Sequence, residues 1–252
     1  MNRLLFELII LTAFLVTPVH AGLLISNFDD SRALSGNYSF GSMVAGEPCC
    51  PFSLDRDFEE QIAQSFTLAS TATLSTIEMV LLERRGNVDS VRVSLSRSSN
   101  TNPGGSSSEL GYKAPDLNNI IESWLLEDAL SRSREKITIH SALLPQLKAG
   151  DMFWITLTPG REINEGESIY TGWVAGDIPQ GSSSVFATRN NINGGSVADQ
   201  RWITGRGRPI PSQAGYSLRV FGEIPIPSNS SLMAIGLLAV LLARKRHYRQ
   251  AY

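Results

Sequence analysis

The stretch LSTIEMVLL, residues 74–82, decides the fold class that we predict for this chain of 252 residues. It is rich in β-branched and apolar residues, and it ends in four consecutive apolar side chains. Residues of this kind favour a strand, and the apolar end indicates that the strand is buried in a sheet. The rest of the chain supplies partners for such a strand.

Several other segments have the pattern of β-strands. Apolar and polar residues alternate over residues 91–96, which predicts a half-buried strand, and Ile137 and Ile139 alternate in the same way. Segments rich in Gly, Ser and Asn, such as residues 97–111, separate these runs. The pattern predicts an all-β fold, an antiparallel β-sandwich of the jelly-roll kind. Further strand candidates are residues 152–158, 168–175, 184–188 and 216–221.

One segment has a different periodicity. Apolar residues between Leu117 and Leu125 follow helical spacing, and Asp116 precedes them as a candidate cap. Periodicity alone therefore predicts a helix around Trp124.

Both ends of the chain differ from its middle. Residues 1–21 have a basic Arg3 and an apolar run, and they predict a secretory signal peptide cleaved after Ala21. Residues 224–252 contain two prolines, an apolar run at 232–243 and a basic cluster. As a helix, the run would rise about 18 Å against a hydrocarbon core of about 30 Å. The tail is thus either a short retained anchor or a sorting signal that a protease removes.

The segment between these ends, residues 22–223, is the predicted exported domain. It carries 17 basic and 23 acidic residues, a net charge of −6. A mildly acidic domain without basic runs is a poor binder of nucleic acid, which excludes that class of function.

Few residues in the domain suggest catalysis or metal binding. Its single histidine, His140, lies in a predicted strand, and a Gly-x-Ser-x-Gly motif is absent from the sequence. We therefore predict a non-enzyme with no cofactor and no zinc site. Asp55 and Asp57 are weak candidates for calcium. A hydrolase would need a pair of carboxylates, which the sequence does not identify.

The two cysteines, Cys49 and Cys50, are adjacent and lie between prolines. Export permits a disulfide, although neighbouring Cα atoms about 3.8 Å apart would make a vicinal bridge strained. Free thiols and bonds to other chains are the alternatives. We predict that both cysteines are oxidised in the exported protein.

Tryptophans supply the main alternative function, a carbohydrate-binding surface module. Trp154 lies in an apolar run and is predicted to be part of the core. Trp173 and Trp202 are flanked by Gly, polar and charged residues, and their rings are candidates for contact with sugars.

The tail resembles the PEP-CTERM sorting signal, the substrate of exosortase in Gram-negative bacteria that make extracellular polysaccharide. The family's central Glu is replaced by Ile226. The resemblance implies export by the Sec machinery, a temporary inner-membrane anchor, and sorting by an exosortase-type protease to the cell surface or the extracellular matrix, with exopolysaccharide as a further partner. The matching residues are Pro225, Ile226, Pro227, Ser228, the run 232–243, Arg244, Lys245 and Arg246.

The domain resembles the choice-of-anchor R family, which often precedes such a tail. Short motifs in the family's order cover nearly all of the domain. The resemblance implies a strand rather than a helix at Trp124, and we predict a strand there. The motifs are Asn27-Phe28, residues 63–67, 74–82 and 91–95, Glu122-Ser123-Trp124, residues 147–154, Thr171-Gly172-Trp173 and residues 216–222.

Overall fold

A computed structural model describes residues 22–35, 40–46, 58–86, 90–99, 114–127, 133–164, 167–176, 186–190, 203–204 and 215–225. These residues form thirteen strands and one short helix, α1 (Asp30–Leu34), so the predicted all-β class is confirmed. The strands are β1 (Gly22–Ser26), β2 (Phe40–Gly46), β3 (Phe58–Thr67), β4 (Ala72–Gly86), β5 (Ser90–Ser98), β6 (Pro115–Glu127), β7 (Glu135–His140), β8 (Gln146–Leu147), β9 (Met152–Pro159), β10 (Ser168–Val174), β11 (Phe186–Asn190), β12 (Ile203–Thr204) and β13 (Leu218–Glu223).

Strand β4 pairs with more strands than any other strand that the structure describes. The strands follow the order β1-β13-β4-β10-β2-β3-β9-β5-β6, and β7 and β8 also pair with β4. Strand β11 pairs with β3 and β12, and the pairs between strands are antiparallel. The stretch 74–82 lies inside β4, as predicted, and its apolar residues have neighbours on both sides because β4 pairs with four other strands.

The main core joins strands that are distant along this order. Ile77 and Leu81 of β4 belong to the same buried cluster as Val93 of β5 and Phe153 of β9. Five pairing steps separate β4 from β5, which in a flat sheet would hold them about 24 Å apart. The sheet therefore curves, so that β4 and β13 share one core with β3, β5 and β9.

Strand β5 is more buried than the alternation of residues 91–96 predicts. Its polar residues were expected to face solvent, but Ser94 and Ser96 are as buried as Val93 and Leu95. The reason is that Ser94 and Ser96 are opposite Thr156 and Trp154 of β9, on the face where a second apolar cluster, Ala63, Ala114 and Trp154, forms. Alternation in the sequence shows which residues share a face, but it does not show what covers that face.

The helix that periodicity indicates is wrong, and the strand expected at Trp124 is confirmed. Strand β6 pairs with β5 from Glu127 to Pro115, and the register shifts twice along the way. The Asp116 carboxylate accepts from the Asn118 N–H at 3.1 Å and from Nδ2 of Asn119 at 2.6 Å, so it bonds locally where the register of β6 shifts and does not cap a helix.

The other strand predictions are confirmed with small differences at the boundaries. Strand β7 buries Ile137 and Ile139 on one face, as their alternation predicts. Tyr216 precedes β13 and forms an isolated bridge with Ala175. Residues 184 and 185, and 100–111 of the predicted loop, lie outside the described residues. In the described part of the chain, no helix is long and apolar enough to span a membrane, and the apolar run 232–243 lies outside that part.

Candidate functional site

The first and last strands of the domain pair with each other. Gly22 is opposite Gly222, and Gly222 is in turn opposite Leu74 near the start of β4. Strand β1 thus begins, and β13 ends, beside the first residues of β4. We call this region the terminal end of the domain.

Two residues make this arrangement specific. The side chain of Asn27 extends the pairing of β1, because its Nδ2 donates to the Tyr216 carbonyl at 2.7 Å and its Oδ1 accepts from the Leu218 N–H at 2.6 Å. At Gly222, a Cβ would lie 2.3 Å from the Thr73 carbonyl oxygen, so only glycine fits there. These contacts close the sheet with its own terminal strands.

A five-residue loop, Ser141 to Pro145, projects from the same region between β7 and β8. The Ser141 N–H donates to the Ser75 carbonyl at 2.9 Å, and the Leu74 N–H donates to the Pro145 carbonyl at 3.0 Å. The loop therefore begins and ends on adjacent residues of β4.

Glu122 of β6 holds this loop from the other side. Its carboxylate accepts from Oγ of Ser141 at 2.6 Å, from the Ala142 N–H at 2.7 Å and from the Leu143 N–H at 3.2 Å. Glu122 is only 6 % exposed, so these bonds to a charged group act in a low-dielectric setting. Leu144 has a φ of +46°, a region that leucine rarely adopts.

The terminal end exposes apolar side chains. Leu23, Leu143, Leu144 and Ile224 are 54 %, 67 %, 54 % and 49 % exposed, and they are four of the seven large apolar side chains that are exposed in the described part. Single exposed leucines are ordinary on protein surfaces, but a concentration at one end indicates a contact surface.

A charged cluster stabilises the neighbouring strands. Arg219 of β13 contacts Asp30 at 2.8 Å and Glu78 at 3.2 Å, and Lys136 of β7 contacts the same two carboxylates at 3.1 and 3.7 Å. The Arg219 guanidinium also lies 4.2 Å from the centre of the Phe28 ring. Two positive and two negative groups neutralise one another here, so this cluster joins α1, β4, β7 and β13 rather than offering a charge to a ligand.

The opposite end of β4 has a different character, and we call it the distal end. The turn between β9 and β10 is closed by Arg161, which donates to both carboxylate oxygens of Glu167 at 2.7 and 2.8 Å. These bonds, followed by the Asn164 N–H, lower the pKa of Glu167 to about 2. Burial raises the pKa of nearby Glu60 on β3 to about 7.

Trp154 and Trp173 are both fully buried. Trp154 is buried as predicted, and its Nε1 donates to Oγ of Ser98 at 3.0 Å. The predicted sugar contact of Trp173 is wrong, because this residue is fully buried. Its ring stacks on Tyr216 at 5.0 Å and its Nε1 donates to the Ser217 carbonyl at 2.8 Å.

His140 lies exposed at the end of β7, with Nδ1 3.3 Å from the Thr76 hydroxyl, as expected for a histidine on a strand face. Pro225 is exposed just after β13. Within the described ranges, no group of three or more His, Cys, Asp or Glu could hold a metal ion. The remaining site predictions lie outside the described residues: Ala21, Cys49, Cys50, Asp55, Asp57, Trp202, Ile226, Pro227, Arg244, Lys245 and Arg246.

Sequence reasoning did not identify Glu122, Asn27 or the loop at Ser141 as important. Glu122 and Asn27 belong to the quoted motifs, but a motif does not show what a side chain binds. Their partners lie 19 to 191 residues away along the chain, so no local pattern connects them. The apolar Leu143-Leu144 pair followed by Pro145 was the available signal of an exposed loop.

No protein-family model, curated protein or solved structure matches the chain. The resemblances to the PEP-CTERM and choice-of-anchor families therefore stay predictions from the sequence.

Proposed function

We propose that the chain is an exported, non-enzymatic surface or extracellular-matrix protein, sorted through its C-terminal tail. The observation that carries the proposal is the pairing of the terminal strands. Strand β1 begins one residue after Ala21, the predicted cleavage site, and β13 ends at Glu223, one residue before the predicted tail. Removal of both extensions would leave whole every strand that the structure describes.

In this proposal the domain is a β-sandwich of two facing layers. The support is the shared core, in which β4 and β13 contribute to the same buried cluster as β3, β5 and β9. In this arrangement β6 and β7 belong to different layers, and the bond from Ser141, the residue after β7, to Glu122 of β6 would join the two layers. Such a domain folds around its own core and does not depend on either extension.

The tail acts in two stages. First, the run 232–243 holds the exported chain in the inner membrane, with Arg244, Lys245 and Arg246 on the cytoplasmic side, in agreement with the positive-inside rule. An exosortase-type protease then cleaves near Pro225 and releases the domain to the surface or to the matrix of a Gram-negative cell. The short apolar run suits a temporary anchor better than a permanent span.

The test is mass spectrometry of both termini of the mature protein, isolated from the surface of a Gram-negative host that carries an exosortase. We expect an N-terminus at Gly22 and a C-terminus near Pro225. Replacement of the basic cluster by Arg244→Gln, Lys245→Gln and Arg246→Gln should abolish correct sorting, whereas Arg249→Gln, outside the cluster, should not.

Two results would contradict the proposal. Mature protein that still begins at Met1 would show that the signal peptide is not cleaved. Surface protein that retains peptides beyond Leu232 would show that the tail is an ordinary anchor.

A further inference from the structure

We propose that the terminal end of the domain rests on the lipid surface while the tail is in the membrane, with Leu143 and Leu144 inserted among the lipid headgroups. This inference rests on the proposed function, because it requires the run 232–243 to be a membrane segment. It adds a second membrane contact, made by the folded domain itself.

The first argument is the length of the connection. Seven residue steps separate Pro225, the last described residue, from Leu232, where the apolar run starts. Seven extended residues span at most about 25 Å. A domain tethered this closely to a membrane segment must turn its terminal end towards the bilayer.

The second argument is the position of the Ser141–Pro145 loop. Leu74 of β4 is opposite Gly222 on one side, and on the other side its N–H donates to the Pro145 carbonyl. The end of the loop at Pro145 and the end of β13 are thus about two strand spacings, or roughly 10 Å, apart. The loop is close enough to reach the same surface as the tether.

The third argument is the way in which the loop is held. The loop backbone is fixed by three hydrogen bonds to Glu122 and by one from the Leu144 N–H to Oγ of Ser141. Little conformational freedom is therefore lost when the leucines enter the layer of lipid headgroups. The buried Glu122 carboxylate is occupied by donors and presents no free charge to the bilayer. Leu23 and Ile224 extend the apolar surface on the side of the tether.

The experiment uses the full chain in vesicles of phosphatidylethanolamine and phosphatidylglycerol. Cys49→Ser and Cys50→Ser remove the native thiols, and Leu143→Cys then carries an environment-sensitive fluorophore. The matched control is Leu125→Cys, an exposed leucine of β6 that lies against Gly160 at the distal end. Quenching by a nitroxide on the lipid headgroups reports contact with the bilayer.

We expect headgroup nitroxide to quench the label at position 143 several-fold more strongly than the label at 125, in protein that floats with the vesicles. Equal quenching at the two positions in floating protein would overturn the inference and leave the proposed function intact. Protein that does not float would overturn both. A label at 143 that is shielded from solvent without lipid would indicate a second copy of the chain as the occupant, and would also overturn the inference.

Discussion

The terminal and distal ends of the domain hold a loop in the same way, but the two loops expose surfaces of different character. At each end, one glutamate carboxylate accepts backbone N–H groups and holds a loop: Glu122 binds Ala142 and Leu143, and Glu167 binds Asn164. Glu122 is buried and its loop exposes leucines. Glu167 is a partly exposed partner of Arg161, and the exposed residues described in its loop are polar.

This difference shows that the exposed leucines do not result from a loose loop. A loop without specific contacts would turn Leu143 and Leu144 towards the nearest apolar surface, because burial of a leucine contributes about 1.5–3 kcal/mol. Glu122 prevents this by fixing the backbone beneath them. The described residues of the distal loop expose no large apolar side chain, and an ion pair at the surface is enough to close that loop.

Replacing the two glutamates in turn is the most direct test of this comparison between the two loops. Glu122→Ala should lower the free energy of unfolding by about 3 kcal/mol, because three donors lose a charged acceptor beside the core. Glu167→Ala should cause a smaller loss, since exposed ion pairs contribute little. Urea denaturation measures both, and hydrogen exchange at Ala142 and Leu143 should become faster only in Glu122→Ala. Equal losses at the two ends would contradict the comparison.

A second test concerns the distal end alone. The pKa of Glu60 is raised to about 7 in the folded protein, above the ordinary value of 4.5, so the folded state holds this proton more tightly than the unfolded chain does. The resulting stability is fully present below pH 4.5 and is lost as the pH rises towards 7, a loss of about 2 kcal/mol for a partly buried group.

Glu60→Gln should therefore raise the free energy of unfolding at pH 8 and leave it nearly unchanged at pH 4. Urea denaturation midpoints across this range measure the effect. If the wild-type protein and the variant keep a constant difference from pH 4 to pH 8, the carboxyl group is not the source of the pH dependence.

The smallest effect is expected at the Arg161–Glu167 pair. The pKa of Glu167 is lowered to about 2, chiefly by its hydrogen bonds to Arg161, so the stability that it contributes is present above pH 4.5 and is lost as the pH falls towards 2. Thermal unfolding should show Glu167→Gln slightly less stable than the wild type at pH 6, with the difference vanishing near pH 2. High salt should also reduce the difference, and a gap that persists in both conditions would point to packing instead.

Local patterns were sufficient for the strands that lie inside the sheet. Residues 74–82 and 152–158 are dense in β-forming residues, and both lie within strands of the structure. Around Trp124 the periodicity favoured a helix, because two shifts of register in an edge strand mimic helical spacing. The resemblance to known motifs, rather than the periodicity, led to the correct prediction there.

The sequence by itself determined the class of the fold, the strands of the interior and the contrast between the middle of the chain and its ends. These properties depend on residues that are close together along the chain, where spacing and side-chain type carry the information. The burial of Trp173 could not be read in this way, since Gly172 and Thr171 beside it resemble the neighbours of an exposed ring.

Only the tertiary structure decided which residues form the terminal end. Glu122 meets Ser141 at this end, and Asn27 meets Leu218 at the other end of the pair of terminal strands, because antiparallel pairing and curvature of the sheet bring separate strands together. A hydrogen bond depends on distance and direction in space, and neither is encoded by spacing along the chain. The leucines at positions 143 and 144 are ordinary loop residues in the sequence, and they become a candidate membrane contact only when the fold places them beside the strand that leads into the tail.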